Sequence, residues 1–252
     1  MVVYLEEAAV PAKAFYDQAF YARQSKRSES SAHAILPLLF TIYWPNSVVD
    51  FGCGVGTWLK AAFDLGIVNL RGFEGPWVSH NQMLIREIKF FNANIADRIE
   101  TQRADLALCL EVAEHIQPEK AVVLIDNLCR ASDVVLFSAA IPRQGGIGHL
   151  NERLQSYWAE LFAAQGYDVF DVIRPHIWND TTIRFWYRQN ILLFVKRTST
   201  AIDRTLLFKR QAPILDVVHP EMNAFHARDA NSSLRRLVRA LRFRLTRRGK
   251  SH

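Results

Sequence analysis

The chain has 252 residues, half of them hydrophobic and 22% charged, enough for one sizeable α/β domain with a full core plus an appendage. No uninterrupted apolar run reaches the roughly 18 residues of a membrane span, and the start Met1-Val2-Val3-Tyr4-Leu5-Glu6-Glu7 lacks the basic and apolar regions of an export signal. A membrane-spanning or exported protein is thereby disfavoured and a cytoplasmic one expected.

The formal net charge of +6 is unevenly placed. Residues 1–196 carry 18 Lys and Arg against 21 Asp and Glu, whereas residues 197–252 carry 13 against 4. Three cysteines, Cys53, Cys109 and Cys129, show neither CxxC nor Cys/His metal spacing, and each lies in or beside an apolar stretch. That is the pattern of buried thiols in a reducing compartment.

In chain order, residues 5–24 show apolar and aromatic positions at mixed three- and four-residue spacing, suggesting one or two short helices over the domain. Residues 26–31 read as a polar break, with Ser30 or Ser31 capping a helix from Ala32 to Tyr43 that stops before Pro45. Strand and helix then alternate. Strands are expected over Ser47–Phe51, Leu70–Glu74, Phe90–Ile95, Leu106–Leu110, Val134–Ser138, Asp168–Ile173 and Asn190–Val195. Helices are expected over Thr57–Leu65, Ser79–Ile88, Pro118–Arg130 and Leu154–Gln165. Near-continuously apolar strands separated by helices imply a doubly wound, mostly parallel seven-stranded sheet covered on both faces. The domains expected are an N-terminal helical cover over 1–45, a cofactor-binding domain over 46–197 and a C-terminal extension over 198–252.

Between the first strand and the helix that follows it lies Asp50-Phe51-Gly52-Cys53-Gly54-Val55-Gly56. Glycines at alternating positions let the chain leave a strand sharply and bring bare backbone amides against a ligand. About 20 residues beyond such a loop, an acidic group that can accept both ribose hydroxyls is expected. Glu74 occupies that place, a helix-capping or solvent-facing role being the alternative. The third glycine falls one residue earlier than in the GxGxxG of nicotinamide enzymes. The loop closely resembles the first motif, D-x-G-C-G-x-G, of class I S-adenosylmethionine-dependent methyltransferases. Ala104-Asp105-Leu106-Ala107-Leu108-Cys109-Leu110-Glu111-Val112-Ala113-Glu114-His115-Ile116 is similar to the fourth-strand motif of the same superfamily. The resemblance spans roughly residues 20–196 and implies the Rossmann-like methyltransferase fold.

Position by position, the resemblance implies that Gly52, Gly54 and Gly56, with Cys53 between them, line the methionine end and ribose of S-adenosyl-L-methionine. Asp50 would orient the loop and Glu74 would hold the ribose. The family often has an acidic residue for the adenine amino group near the third strand end. Asn94 stands there instead, where its carbonyl could accept from the amino group while Ile95 packs on the ring. Glu111 would also face the cofactor.

The ExxEH stretch from Glu111 to His115 is similar to that of metal-assisted ubiquinone-biosynthesis O-methyltransferases and small-RNA 3′-terminal 2′-O-methyltransferases. This likeness implies a Mg²⁺ or other divalent site from Glu111, Glu114, His115 and a later histidine, with His149 the candidate. Many methyltransferases with such a sequence bind no metal, so that alternative stays open.

Residues 138–158 hold a strand end, glycines 145, 146 and 148, and polar groups opening a helix, the composition of a substrate-binding loop. His149 is the first candidate general base or ligand, with Glu152 and His115 next, because a hydroxyl acceptor must lose its proton during transfer. A loop-stabilising His149 and a capping Glu152 are the alternatives. No (N/D)PPY-like tetrapeptide follows the fourth strand, which favours an oxygen acceptor. Around the last strands, His176, Trp178, Trp186, Tyr187 and Arg188 read as pocket walls or as core at a hairpin.

Beyond residue 196, Ser233–Arg248 reads as a basic amphipathic helix with Leu234, Leu237, Val238, Leu241 and Leu245 at helical spacing. Such a helix suits an anionic membrane surface or nucleic acid, and equally the protein's own acidic domain. The favoured activity is O-methylation of a hydroxylated small molecule, a sugar or glycan end above all. The alternatives are an RNA 2′-O-methyltransferase and a non-catalytic cofactor-binding protein.

Overall fold

The computed structural model describes residues 18–210 and 215–223. The chain divides into two compact units, Met1–Val217 and Val218–His252, and everything that follows concerns the first. Ser233–Arg248 and residues 5–17 lie outside the described residues.

In order, the elements are α1 (Gln18–Phe40), β1 (Ser47–Phe51), α2 (Thr57–Asp64), β2 (Asn69–Glu74), β3 (Lys89–Asn92), β4 (Leu106–Leu110), α3 (Ala121–Ala131), β5 (Val134–Ser138), α4 (Gln155–Ala164), β6 (Tyr167–Phe170), α5 (Arg174–Ile177), α6 (Phe185–Asn190), β7 (Leu192–Lys196) and α7 (Arg204–Arg210). The sheet order is β3-β2-β1-β4-β5-β7-β6. Strands β1 to β5 run parallel, and β7 runs antiparallel to both β5 and β6. The chain winds outward from β1 to β3 and then crosses back to β4. The crevice of an open α/β sheet forms at that reversal, outside the carboxyl ends of β1 and β4.

Strands β1, β4 and β5 are buried at every position, as central strands covered on both faces must be. Successive side chains point to opposite faces. Val48, Leu106 and Leu108 therefore pack with Ile35, Leu36 and Leu39 of α1 and Leu59 of α2. Val49, Ala107 and Cys109 pack on the other face with Leu124 and Leu128 of α3 and Phe162 of α4. All three cysteines are free and buried.

Several local expectations are overturned. The polar break at 26–31 is the middle of α1, because its serines bond to a distant segment rather than capping a helix start. Ser28 Oγ lies 3.1 Å from Tyr187 Oη, Ser30 Oγ donates to the Thr182 carbonyl at 2.9 Å, and Ser31 Oγ accepts from the Arg184 amide at 3.1 Å. The helix expected over Ser79–Ile88 is reduced to a 3₁₀ turn, His80–Gln82, with a capping box between Ser79 and Gln82. Its apolar residues Met83, Ile85 and Ile88 are buried individually from irregular backbone. Trp186 to Asn190 lie in helix α6, not in a hairpin.

Candidate active site

At the carboxyl end of β1, Gly52, Gly54 and Gly56 have φ of 81°, 55° and 84°, the left-handed region that side chains with a Cβ avoid. A Cβ on Gly52 would also stand 2.6 Å from the methyls of Val112, so the turn presses directly on the segment after β4. Gly56 is the N-cap of α2, and no side chain caps that helix. Its first amides therefore lack a side-chain cap, the arrangement found where a turn receives an anionic or polar ligand group.

Glu74, at the end of β2, braces this turn. Its carboxylate accepts from the Gly54 amide at 2.7 Å, the Gly75 amide at 2.8 Å and Trp77 Nε1 at 3.0 Å. Burial raises its pKa, and these three donors offset part of the shift. Asp50, 2% exposed, sits behind the same turn. Burial and the neighbouring Glu74 charge push it well above the usual carboxylate range. Cys53 Sγ lies where a Cβ on Gly72 would come within 2.7 Å, so the small residue in β2 makes room for the loop. Asn94 is exposed and closes a local turn: its Oδ1 accepts from the Ala96 amide at 3.1 Å and its Nδ2 donates to Asp97 at 2.9 Å. The carbonyl expected to meet adenine thus accepts one local bond and has a second lone pair. Ile95 packs, partly buried, against the core.

The residue after β4, Glu111, has φ of 56° although it is not glycine, a conformation that costs energy and clusters at functional sites. Its amide is held by the Ser138 carbonyl at 2.9 Å and by Ser138 Oγ at 3.1 Å. Its carboxylate accepts from Gln144 Nε2 at 2.8 Å and Asn190 Nδ2 at 3.0 Å. Burial raises its pKa against the pull of these donors.

Glu111 thus faces two amides, whereas Glu114, His115 and His149 come together. One ligand-capable atom from each of these three lies within 4.8 Å of the others. The His115 and His149 rings meet edge to face with centroids 4.8 Å apart. Glu114 is 1% exposed, and its Oε2 is buried without a hydrogen-bond partner. Burial and the Glu111 charge push its pKa well up. Burial, helped by His149, lowers His115 to about 4, so its imidazole is neutral near pH 7. A divalent ion binds a neutral imidazole and a carboxylate and would displace the proton that burial favours on Glu114, so the unpartnered Glu114 oxygen beside His115 and His149 is a donor set that fits such an ion.

The loop from Ala139 to Arg153 is stitched to this segment, since the Leu150 and Asn151 amides donate to the Glu114 carbonyl at 2.7 and 2.9 Å. Glu152 accepts from the Arg143 amide at 2.8 Å and the Gly145 amide at 2.9 Å, and its Oε1 lies 2.8 Å from His149 Nδ1. A carboxylate only accepts, so Nδ1 carries the proton in this contact and Nε2 is the basic nitrogen. Gly146 lies against that edge: a Cβ there would fall 2.1 Å from Nε2.

Sequence reasoning missed Gln144, Gln189 and Asn190. All three are nearly fully buried. Gln189 Nε2 donates to Gln144 Oε1 and Asn190 Oδ1 at 3.0 Å each, and Asn190 Nδ2 donates to Gln144 Oε1 at 2.9 Å as well as to Glu111. The only local signal is a Gln-Asn pair set against the apolar run of β7, where buried amides must find partners. Tyr187 and Arg188, read as pocket walls or core, are core at 3% and 2% exposure.

The reversed last strand, the switch point between β1 and β4, and the glycine turn define an α/β class that takes its cofactor at the carboxyl edge of the sheet. Residues 21–179 match the family described as methyltransferase domain, and the chain belongs to that family, within the class I S-adenosylmethionine-dependent methyltransferases. No curated protein sequence matches it. Solved structures share the fold at low identity. One is an O-methyltransferase family protein from Burkholderia thailandensis, 16% identical with a TM-score of 0.53 over 72% of this chain and 59% of the other. Another is human N-acetylserotonin methyltransferase in complex with S-adenosylmethionine, 17% identical with a TM-score of 0.52 over 74% and 56%. The magnesium protoporphyrin IX methyltransferase of Synechocystis PCC 6803, with bound S-adenosylhomocysteine, is 15% identical with a TM-score of 0.55 over 73% and 97%. The chain therefore spans little more than half the length of the first two.

Proposed function

We propose that this chain transfers the methyl group of S-adenosylmethionine to a hydroxyl oxygen. The observation that carries the reading is the His149–Glu152 pair, fixed by two backbone amides on a loop bonded to the segment that touches the glycine turn. In that reading the cofactor occupies the turn of Gly52, Gly54 and Gly56 with Asp50 and Cys53 behind it. Glu74 offers its remaining acceptor capacity to the ribose, Glu111 flanks the methionine end, and Ile95 borders the adenine.

Transfer is an in-line displacement in which the oxygen–methyl bond forms as the sulfur–methyl bond breaks. S-adenosylhomocysteine leaves, and the hydroxyl proton passes to His149 Nε2. Glu152 keeps the imidazole in the correct tautomer and stabilises its charged form. Where Glu114, His115 and His149 instead hold a divalent ion, its chemistry when bound is to lower the pKa of a hydroxyl, and His149 Nε2 is then a ligand and not the base. Exposed Ile147, Leu150 and Leu154 flank His149 in the sequence, which supports an acceptor presenting an apolar face, such as the C–H face of a sugar. A sugar or glycan end remains the favoured carrier, and an RNA 3′ end, suggested by the ExxEH pattern and the arginine-rich tail, is the second.

The test is methyl transfer from labelled cofactor to panels of glycans and RNA oligonucleotides, with His149→Asn alongside. Transfer to a hydroxyl that falls at least a hundredfold in the variant supports the reading, on the usual scale of acid–base contributions. Transfer to nitrogen or carbon overturns it.

A further inference from the structure

The segment 215–217 lies beyond the last strand and outside the region matched to the family, yet each of its residues bonds to the scaffold of the candidate site. The Leu215 carbonyl accepts from Arg174 Nη1 at 2.9 Å. Asp216 Oδ1 accepts from the Ser156 amide at 2.7 Å. The Val217 carbonyl accepts from Gln155 Nε2 at 3.0 Å.

These contacts fall at two strategic places. Helix α4 begins at Gln155 with Leu154 as its N-cap, and no side chain of its own turn covers its first amides. Asp216 supplies that acceptor from 60 residues away, and a carboxylate at a helix N-terminus also complements the helix dipole. The start of α4 is close in sequence to Glu152, which holds His149. Gln155 and Arg174, both 2% exposed, converge on one atom, the Gln189 carbonyl, at 3.1 and 3.0 Å. The Gln189 side chain then enters the amide network of Gln144 and Asn190 that seats Glu111.

We propose that residues 215–217 are a strap that positions both halves of the site: Glu111 through Gln155, Arg174 and Gln189, and His149 through the N-terminus of α4. Asp216 and Gln155 are positioning residues, and the inference rests on the site reading given above. A loop rich in glycine needs such an outside anchor. The Gly145 and Gly148 φ values of 72° and 75° give it little intrinsic preference for one conformation.

The test uses the full chain with Asp216→Ala, Asp216→Asn and Gln155→Leu, followed by amide hydrogen exchange and calorimetric titration with S-adenosylmethionine. Asp216→Ala should speed exchange at Arg143, Gly145 and Ser156 about fivefold, the scale of a lost helix cap, while β1 and β4 stay as protected as in the parent chain. Asp216→Asn, which keeps the acceptor oxygen, should restore protection. Gln155→Leu should weaken cofactor binding severalfold without loss of protection in β1. Unchanged exchange in 143–157 on losing Asp216, or equal acceleration in β1, would overturn the strap. Absence of cofactor binding or transfer in the parent chain counts against the proposed function, and the exchange comparison still decides whether the strap exists.

Discussion

Gly146 and Asp50 show how single positions set the chemistry. A Cβ on Gly146 would collide with His149 Nε2, so Gly146→Ala must swing the imidazole off Glu152. Methyl transfer should fall about a hundredfold, with a melting temperature close to that of the parent chain, because only a loop side chain is displaced. Asp50 is held above its ordinary value of 3.8 by burial and by Glu74. The folded state therefore binds its proton more tightly than the unfolded state, and this group's contribution to stability is lost as pH rises through the folded value. Asp50→Asn removes that dependence. Melting curves should show the variant gaining on the parent chain from pH 4 toward pH 8, while its affinity for S-adenosylmethionine drops. A variant whose stability falls with pH as the parent's does would refute the buried-charge account.

At the scale of elements, the site depends on how α1 and α6 lock together. Ser28, Ser30 and Ser31 of α1 bond to Tyr187, Thr182 and Arg184 in and before α6, and the last residue of α6, Asn190, donates to Glu111. Ser31→Ala should lower unfolding stability in urea by about 1 kcal/mol, the value of one hydrogen bond whose partner is left unpaired. These serines look like a break in the sequence because Ser is a weak helix former that competes locally for backbone bonds. In the fold their hydroxyls have partners more than 150 residues away, and the helix runs through. The apolar residues at 83, 85 and 88 suggest a helix in the same misleading way. The edge of the sheet buries them from irregular backbone, so helical spacing carries no weight there.

For the molecule as a whole, the roles proposed for the strap and for the tail can be tested separately. The first compact unit runs to Val217, and the strap residues belong to it. A chain lacking residues 230–252 should bind S-adenosylmethionine as the full chain does and lose any binding to anionic liposomes or RNA. Calorimetry and co-sedimentation check both halves, and a truncated chain that still binds both surfaces removes the role proposed for the tail. Chelation gives the other whole-protein test. Activity abolished by a chelator and restored by Mg²⁺ or Mn²⁺ assigns Glu114, His115 and His149 to an ion, whereas full activity in chelator leaves His149 as a base. No helix among the described residues is long and apolar enough to cross a membrane.

What the sequence determined by itself is the part governed by local chemistry. Strands β1, β4 and β5 are found over the residues expected, because continuous apolar runs between helices admit only a covered parallel strand. The glycine turn was legible because three left-handed dihedrals need three residues without a Cβ. His115 and His149 could be named as candidates, but nothing local brings them edge to face. The tertiary structure alone decided that Glu114 joins them while Glu111 turns to Gln144 and Asn190, and that residues 215–217 reach back to α4. Those bonds join positions 33 to 79 residues apart. Buried amides and carbonyls choose such partners by proximity after the sheet has closed, so no spacing along the chain announces them.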